Sequence, residues 1–135
     1  MATRNQRLSL QIVIGLIAMI PIFVGLNGIF QGPNVLLKTN DYSIQVDSHL
    51  RYLSGLRVAM GIFLLRNLPT IDRNGDDLCR VSLFVFIGGL GRLWGLITIG
   101  FDFDAIIAAL IELFILPIIC LWQNQIERKT TRLRQ

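Results

Sequence analysis

The sequence predicts an all-α fold: an integral membrane four-helix bundle with both termini cytoplasmic. Three observations carry this reading. Hydrophobic residues make up 53% of the chain and charged residues only 16%, where a soluble domain carries about 25% charged residues. The apolar residues gather in four blocks close to the length of a bilayer crossing, which takes about 20 residues at about 1.5 Å each. The basic residues lie mostly on one side of those blocks. Lipid offers no partners to backbone polar groups, so each block must be helical. The 135 residues suit one domain, residues 1–135.

The first span covers about residues 8–30, "LSLQIVIGLIAMIPIFVGLNGIF". Arg4 and Arg7 ahead of it imitate a secretory signal. The apolar stretch is too long for one and no small-x-small cleavage site follows, so an uncleaved first span is expected. The loop that follows, "QGPNVLLKTNDYSIQVDS", is long for a helix–helix connection, which usually takes about 2 to 8 residues. Within it "PNVLL" suits a helical turn on the membrane surface, and "SIQV" alternates like a short strand. The loop is either an ordered connector or a lid.

The second span, about residues 50–68, is the least apolar because it carries Arg51, Arg57 and Arg66. The next loop, "NLPTIDRNGDDLC", places Asp72, Asn74 and Asp76 at calcium-loop spacing. The match then fails, with Asp77 where glycine is needed and Leu83 where glutamate is needed. A solvated turn around Asn74-Gly75 is expected. The third span covers about residues 81–100 and the fourth about 104–123. The short "FDFD" between them makes an antiparallel hairpin. Pro21 and Pro117 inside spans one and four are expected to kink them. Trp122 reads as an interface anchor, and Trp94 is too deep to be one.

The net charge of +4 is placed for a membrane rather than for nucleic acid. Arg4, Arg7, Arg66, Arg73, Arg80, Arg128, Lys129, Arg132 and Arg134 fall on one side, against Lys38 and Arg51 on the other. This positive-inside asymmetry sets both termini in the cytoplasm. The tail "ERKTTRLRQ" anchors that topology and attracts anionic lipid. Cys79 and Cys120 fall near the cytoplasmic face, a reducing side, so free thiols are expected.

Three ionisable residues stand inside the apolar blocks. Arg92 lies eight residues before Gly100, Glu112 eight after Asp104 and Arg57 eight after His49. Each therefore sits about 12 Å below the outer boundary. Their helical faces also carry small residues: Gly88 and Gly95 beside Arg92, with a GxxxG at Gly91 and Gly95; Ala105, Ala108 and Ala109 beside Glu112; Ser54 and Gly61 beside Arg57. Small residues mark close helix approach, which points all three charges inward.

A central Arg costs about 2.5–3.5 kcal/mol on insertion scales, so a buried partner is expected. Glu112 neutralises only one arginine. Asp47 or Asp102 near the mouth, or a bound anion or carbonyl, can answer the other. Asn27 supplies an amide slightly higher, and His49, Arg51 and Tyr52 lie nearer the surface above Arg57. The cluster is either a buried polar network that fixes helix pairing or a pocket for a headgroup, carboxylate or quinone oxygen. A carboxylate between two guanidiniums is a poor proton relay. Asp47 and His49 are too few for a metal site, and His49 is too near the edge for haem ligation. No metal and no cofactor is expected.

The stretches "VDSHLRYLSGLRVAMG" (46–61), "FIGGLGRLWG" (86–95), "GLNGIFQGP" (25–33) and "ELFILPIICLWQ" (112–123) resemble the small bacterial four-span proteins grouped as Domain of Unknown Function 4345. The resemblance covers about residues 8–126. Its paired blocks H-x-R-Y-x-x-G and G-G-x-G-R fall on His49, Arg51, Tyr52, Gly55, Gly88, Gly89, Gly91 and Arg92, with Glu112 and Pro117 further on. Where relatives often carry two prolines after the glutamate, Leu116 stands before Pro117 here. The resemblance implies a four-helix membrane fold, a bacterial source and residence in the inner or another internal bacterial membrane. It supplies no reaction.

Two functions remain open. One is a non-catalytic accessory or scaffold subunit of a membrane complex, partnered by the bilayer and other membrane subunits. The other is a binder of an amphipathic small molecule, a lipid or quinone, at Asn27, Arg57, Arg92 and Glu112, approached past Asp47, His49, Arg51, Tyr52 and Asp102. No Cys–His or Ser–His pair stands at working depth, so no catalytic residue is assigned.

Overall fold

The computed structural model describes residues 4–37, 41–70 and 75–132. Among them there is no strand. The helices are α1 (Arg4–Gln31), α2 (Asn34–Leu37), α3 (Ile44–Asn67), α4 (Gly75–Thr98), α5 (Phe103–Leu110) and α6 (Leu116–Arg132). A 3-10 turn, Leu68–Thr70, follows α3, and a π-helical turn, Ile111–Ile115, joins α5 to α6. The fold is all-α, as the sequence predicts.

Three stretches are long and apolar enough to cross a membrane: Gln6–Gln31, Asp76–Thr98 and Phe103–Gln125, with mean hydropathies of 2.4, 1.6 and 2.6. These mark a membrane protein and correspond to the first, third and fourth expected spans. The α3 helix, at 24 residues, has the length. Asp47, Arg51, Arg57 and Arg66 keep its hydropathy lower.

The chain divides into two compact units, Gln11–Leu68 and Met1–Leu10 with Pro69–Gln135. In the first, α1 meets α3 at backbone distance. A Cβ on Gly25 would stand 2.6 Å from the Ser54 carbonyl oxygen and 2.7 Å from Val58 Cγ2. One on Gly61 would stand 2.7 Å from the Ala18 carbonyl oxygen. Ile14, Ala18 and Ser54 are almost wholly enclosed. The α1 helix stops at Gly32, whose φ of 60° is the left-handed cap conformation, and whose N–H bonds the Gly28 carbonyl at 3.0 Å. Pro33 follows and cannot continue the helix.

The "PNVLL" segment forms the expected helical turn, α2. The "SIQV" segment is not a strand. Ser43 is the N-cap of α3, its hydroxyl accepting from the Val46 N–H at 3.3 Å. That cap starts the helix six residues before the expected span, and a cap outranks a three-residue alternation. At the other end of α3, Gln11 donates to the Leu68 carbonyl at 3.1 Å.

In the second unit α4 packs against α5, the π-turn and α6. Leu78, Val81 and Leu96 of α4, Ala109 of α5 and Leu116 and Ile119 of α6 form its apolar core. The α4 helix begins at Gly75, six residues before the expected span, with Asp76 and Asp77 in its first turn, where acidic side chains suit the helix dipole. Asn74 of the expected turn and Asp72 lie outside the described residues. Arg7 donates to the Pro69 carbonyl at 2.9 Å. Leu83, Ile87, Leu90, Trp94 and Ile97 make an exposed apolar stripe along α4. At helical spacing, such a stripe faces lipid in a spanning helix.

The two cysteines correct an expectation. They are joined as a disulfide, Cys79 to Cys120, across a Cα separation of 5.4 Å. The antiparallel α4–α6 pairing brings them within bridging range, which the sequence could not give without the register of the two helices.

Candidate functional site

The best-formed polar feature is the pair made by Arg92 and Glu112. Arg92 Nε donates to Glu112 Oε2 at 3.1 Å and Nη2 donates to Oε1 at 3.0 Å. This is a two-pronged guanidinium–carboxylate fork, stronger and more directional than a single ion pair. The side chains are 32% and 23% exposed, so the pair is largely shielded. It ties α4 to the π-turn.

Two features set that geometry. Pro117 has no amide hydrogen to offer the Leu113 carbonyl, and the backbone changes register directly before it, over Ile111–Ile115. Single π-turns inside α-helices accompany functional sites often. Opposite, a Cβ on Gly89 would stand 3.0 Å from Glu112 Cβ and 3.1 Å from Leu113 Cγ. Gly89 therefore lets the carboxylate-bearing segment approach one turn from Arg92.

The glycine that makes this approach is not one of those expected. A Cβ on Gly88, Gly91 or Gly95 would meet nothing within 4 Å among the described residues, so within this unit the close contact of α4 with the π-turn is made at Gly89 and not at the GxxxG. The signal for Gly89 was present in the "GG" pair, but periodicity around Arg92 favours Gly88 and Gly95.

The expected mouth residues of α3 have partners of their own. Arg51 Nε donates to Asp47 Oδ2 at 2.8 Å. Its Nη1 donates to the Ile29 carbonyl and, at 3.5 Å, to that of Phe30. Arg51 thus caps the last turn of α1, where carbonyls lack helical partners and a cation is favoured. The hydrogen bond from Arg51 holds the Asp47 carboxyl below the ordinary carboxylate value; burial opposes this and the Arg51 charge adds to it. Asn27 is also engaged, its Oδ1 accepting from Gln31 Nε2 at 2.5 Å. His49 is exposed and lines a shallow open depression with Ser43, Gln45, Val46, Leu50 and Leu53. Tyr52 is 67% exposed.

Asp102 caps α5, its carboxylate accepting from the Ala105 N–H at 2.9 Å. Arg57 is half-buried on the α3 face that carries Ser54 and Gly61, with no hydrogen-bond or ion-pair partner among the described residues of its unit. The structure therefore joins Arg92 with Glu112 and Asp47 with Arg51. It gives Asn27 and Asp102 local partners. Among the described residues no group of three or more His, Cys, Asp or Glu is gathered as metal ligands would be.

No curated protein and no solved structure matches the chain. Its sequence matches a family model over residues 9–123, a stretch that contains α2 to α5, the π-turn and every residue of the Arg92–Glu112 and Asp47–Arg51 pairs. The chain belongs to the family described as domain of unknown function (DUF4345).

Proposed function

We propose that the protein is a non-catalytic accessory or scaffold subunit of a complex in the inner, or another internal, bacterial membrane. In this reading residues 50–68, most of them in α3, are the second of four spans in a helix bundle, and both termini are cytoplasmic. The closed Arg92–Glu112 fork carries the proposal. Both carboxylate oxygens are taken by the guanidinium, so the pair serves cohesion between helices rather than proton or group transfer. What is left to interact is the apolar exterior, including the Leu83–Ile97 stripe of α4. Native mass spectrometry after mild detergent extraction should show a complex with a second chain in fixed stoichiometry. A protein that flies alone, with a stoichiometric small molecule attached, would overturn the proposal.

A second reading is favoured by one observation, the half-buried Arg57 without a partner in its unit. It is a binder of an amphipathic lipid or quinone, whose anionic or carbonyl group takes the Arg57 guanidinium. An unpaired cation in a lipid-facing protein calls for such a counterpart.

A further inference from the structure

We infer that Cys79 and Cys120 form a reversible thiol–disulfide exchange site, one that fastens and releases the ends of α4 and α6 in response to cytoplasmic dithiols and peroxide. The bond joins the second turn of α4 to α6, three residues past Pro117. Both cysteines are half-buried, so they are neither sealed in the core nor fully open. Asn124, one turn along α6 from Cys120, aims Nδ2 at both sulfurs, 3.6 Å from Cys79 Sγ and 3.9 Å from Cys120 Sγ. An amide N–H there supports a sulfur that becomes a thiolate when the bond opens.

The location makes the bond unusual. Arg66, Arg73 and Arg80 flank this end of the chain and the basic tail follows it, so the proposed orientation, on which this inference rests, sets the pair in the cytoplasm. Disulfides there are transient or regulatory rather than permanent. Reduction starts when a thiolate of a dithiol protein attacks one of the two sulfurs. The Cys79–Cys120 bond breaks, and the released thiolate takes up a proton. The second thiol of the reductant then attacks the mixed disulfide and frees the other cysteine. Two electrons and two protons pass to the pair, and the dithiol becomes a disulfide. Peroxide reverses the change: the two thiols lose two electrons and two protons, and hydrogen peroxide becomes two waters.

The structural effect is confined to one end of the unit. Along α4, Arg92 lies 13 residues from Cys79, or about 20 Å. With the bond closed, α4 is held to the α5–α6 segment at both levels. With it open, the Arg92–Glu112 fork remains, and α6 past Pro117 loses its covalent tie to α4 and keeps non-covalent contacts, among them the packing of Leu78 and Ile119 and the Asn124 amide beside Cys79.

The test is thiol trapping in growing cells. The intact protein is acid-quenched and alkylated with a mass-tagged maleimide before and after a hydrogen peroxide pulse, and again after recovery. We expect two tags before the pulse, none after it and two again on recovery, with Cys120→Ser carrying one tag before the pulse. A pair that stays untagged throughout, or tagged throughout, overturns the inference. Orientation is read separately with Asp76→Cys in a Cys79→Ser, Cys120→Ser background. An impermeant thiol reagent added outside should not label it. If it does label, the proposed orientation has failed; if it does not and the tags never cycle, the exchange site alone has failed.

Discussion

In residues Gln11–Leu68 the helices meet backbone to backbone. Gly25, Gly28 and Gly61 leave room only for Ser54, Val58, Ala18 and Ile22 of the facing helix. Between α4 and the α5–α6 segment one glycine, Gly89, plays that part among the described residues, and the contact carries chemical fasteners instead: the Arg92–Glu112 fork and the Cys79–Cys120 bond. Apolar side chains cannot drive helices together in lipid, where the tails are as apolar as leucine. The two units thus use the two remaining means, close van der Waals fit and polar or covalent ties. A steric contact fails when something is added, and a tie fails when something is taken away.

The strongest break in this contrast is Glu112→Gln. It leaves Arg92 without its carboxylate, and breaking a buried pair costs about 3–5 kcal/mol in soluble proteins, less in lipid because the unfolded chain there also finds partners. Denaturant titration in mixed micelles should show a loss of about 2–3 kcal/mol, scaled down from that range, and a double-mutant cycle with Arg92→Gln should show coupling. Additive single effects would mean the fork does not fasten α4. Gly25→Leu and Gly61→Leu come next. Overpacking of this kind costs about 1–3 kcal/mol, while Gly91→Leu and Gly55→Leu, with nothing within 4 Å, should stay within about 0.5 kcal/mol. Equal losses at all four positions would erase the steric half of the comparison.

Arg57→Gln sharpens the contrast rather than breaking it. On the lipid or quinone reading, bound small molecule counted by native mass spectrometry should fall while the melting temperature moves by no more than about 2 °C. Melting as early as Glu112→Gln, with bound lipid unchanged, would make Arg57 a packing residue.

The smallest effect is in acid. Because Arg51 lowers the folded-state pKa of Asp47 below its ordinary value of 3.8, the contribution of this pair is present above that value and is lost as the pH falls through the lowered one. The protection of the Gly32 amide, taken against an unstructured amide at the same pH, should therefore fall only below about pH 3.8. Loss of protection near neutrality would point to another group.

Helices and most of their ends were legible in the sequence because length, apolarity and breakers act locally. The partnership of Arg92 with Glu112 was legible too, from equal depth on a hairpin with a short turn. The rest depends on rotation about helix axes, which residue counts along straight α-helices misjudge. That is why Gly89 was passed over for Gly88 and Gly95, and why the helix-capping contacts of Arg51 and Asp102 were not foreseen; the free thiols expected at Cys79 and Cys120 rested instead on the reducing side of the membrane, not on geometry. Ser43 was a missed cap of the ordinary kind. Its signal, a serine ahead of an acidic first turn, was hidden by the alternation in "SIQV".

The π-turn at Ile111–Ile115 acts as a phase shifter. Glu112 and Cys120 are eight residues apart, and eight α-helical residues leave two side chains about 80° out of line. A π-turn absorbs one residue beyond the α count, so eight steps behave as about seven, the spacing at which side chains share a face. Carboxylate and thiol thereby address the same neighbour, α4. Winding the same residues as a regular α-helix, with none removed, would turn everything beyond the turn by about 100° and swing Cys120 away from Cys79. The irregular turn is thus the setting that keeps two distant fasteners in register, and a straighter helix would be a poorer one.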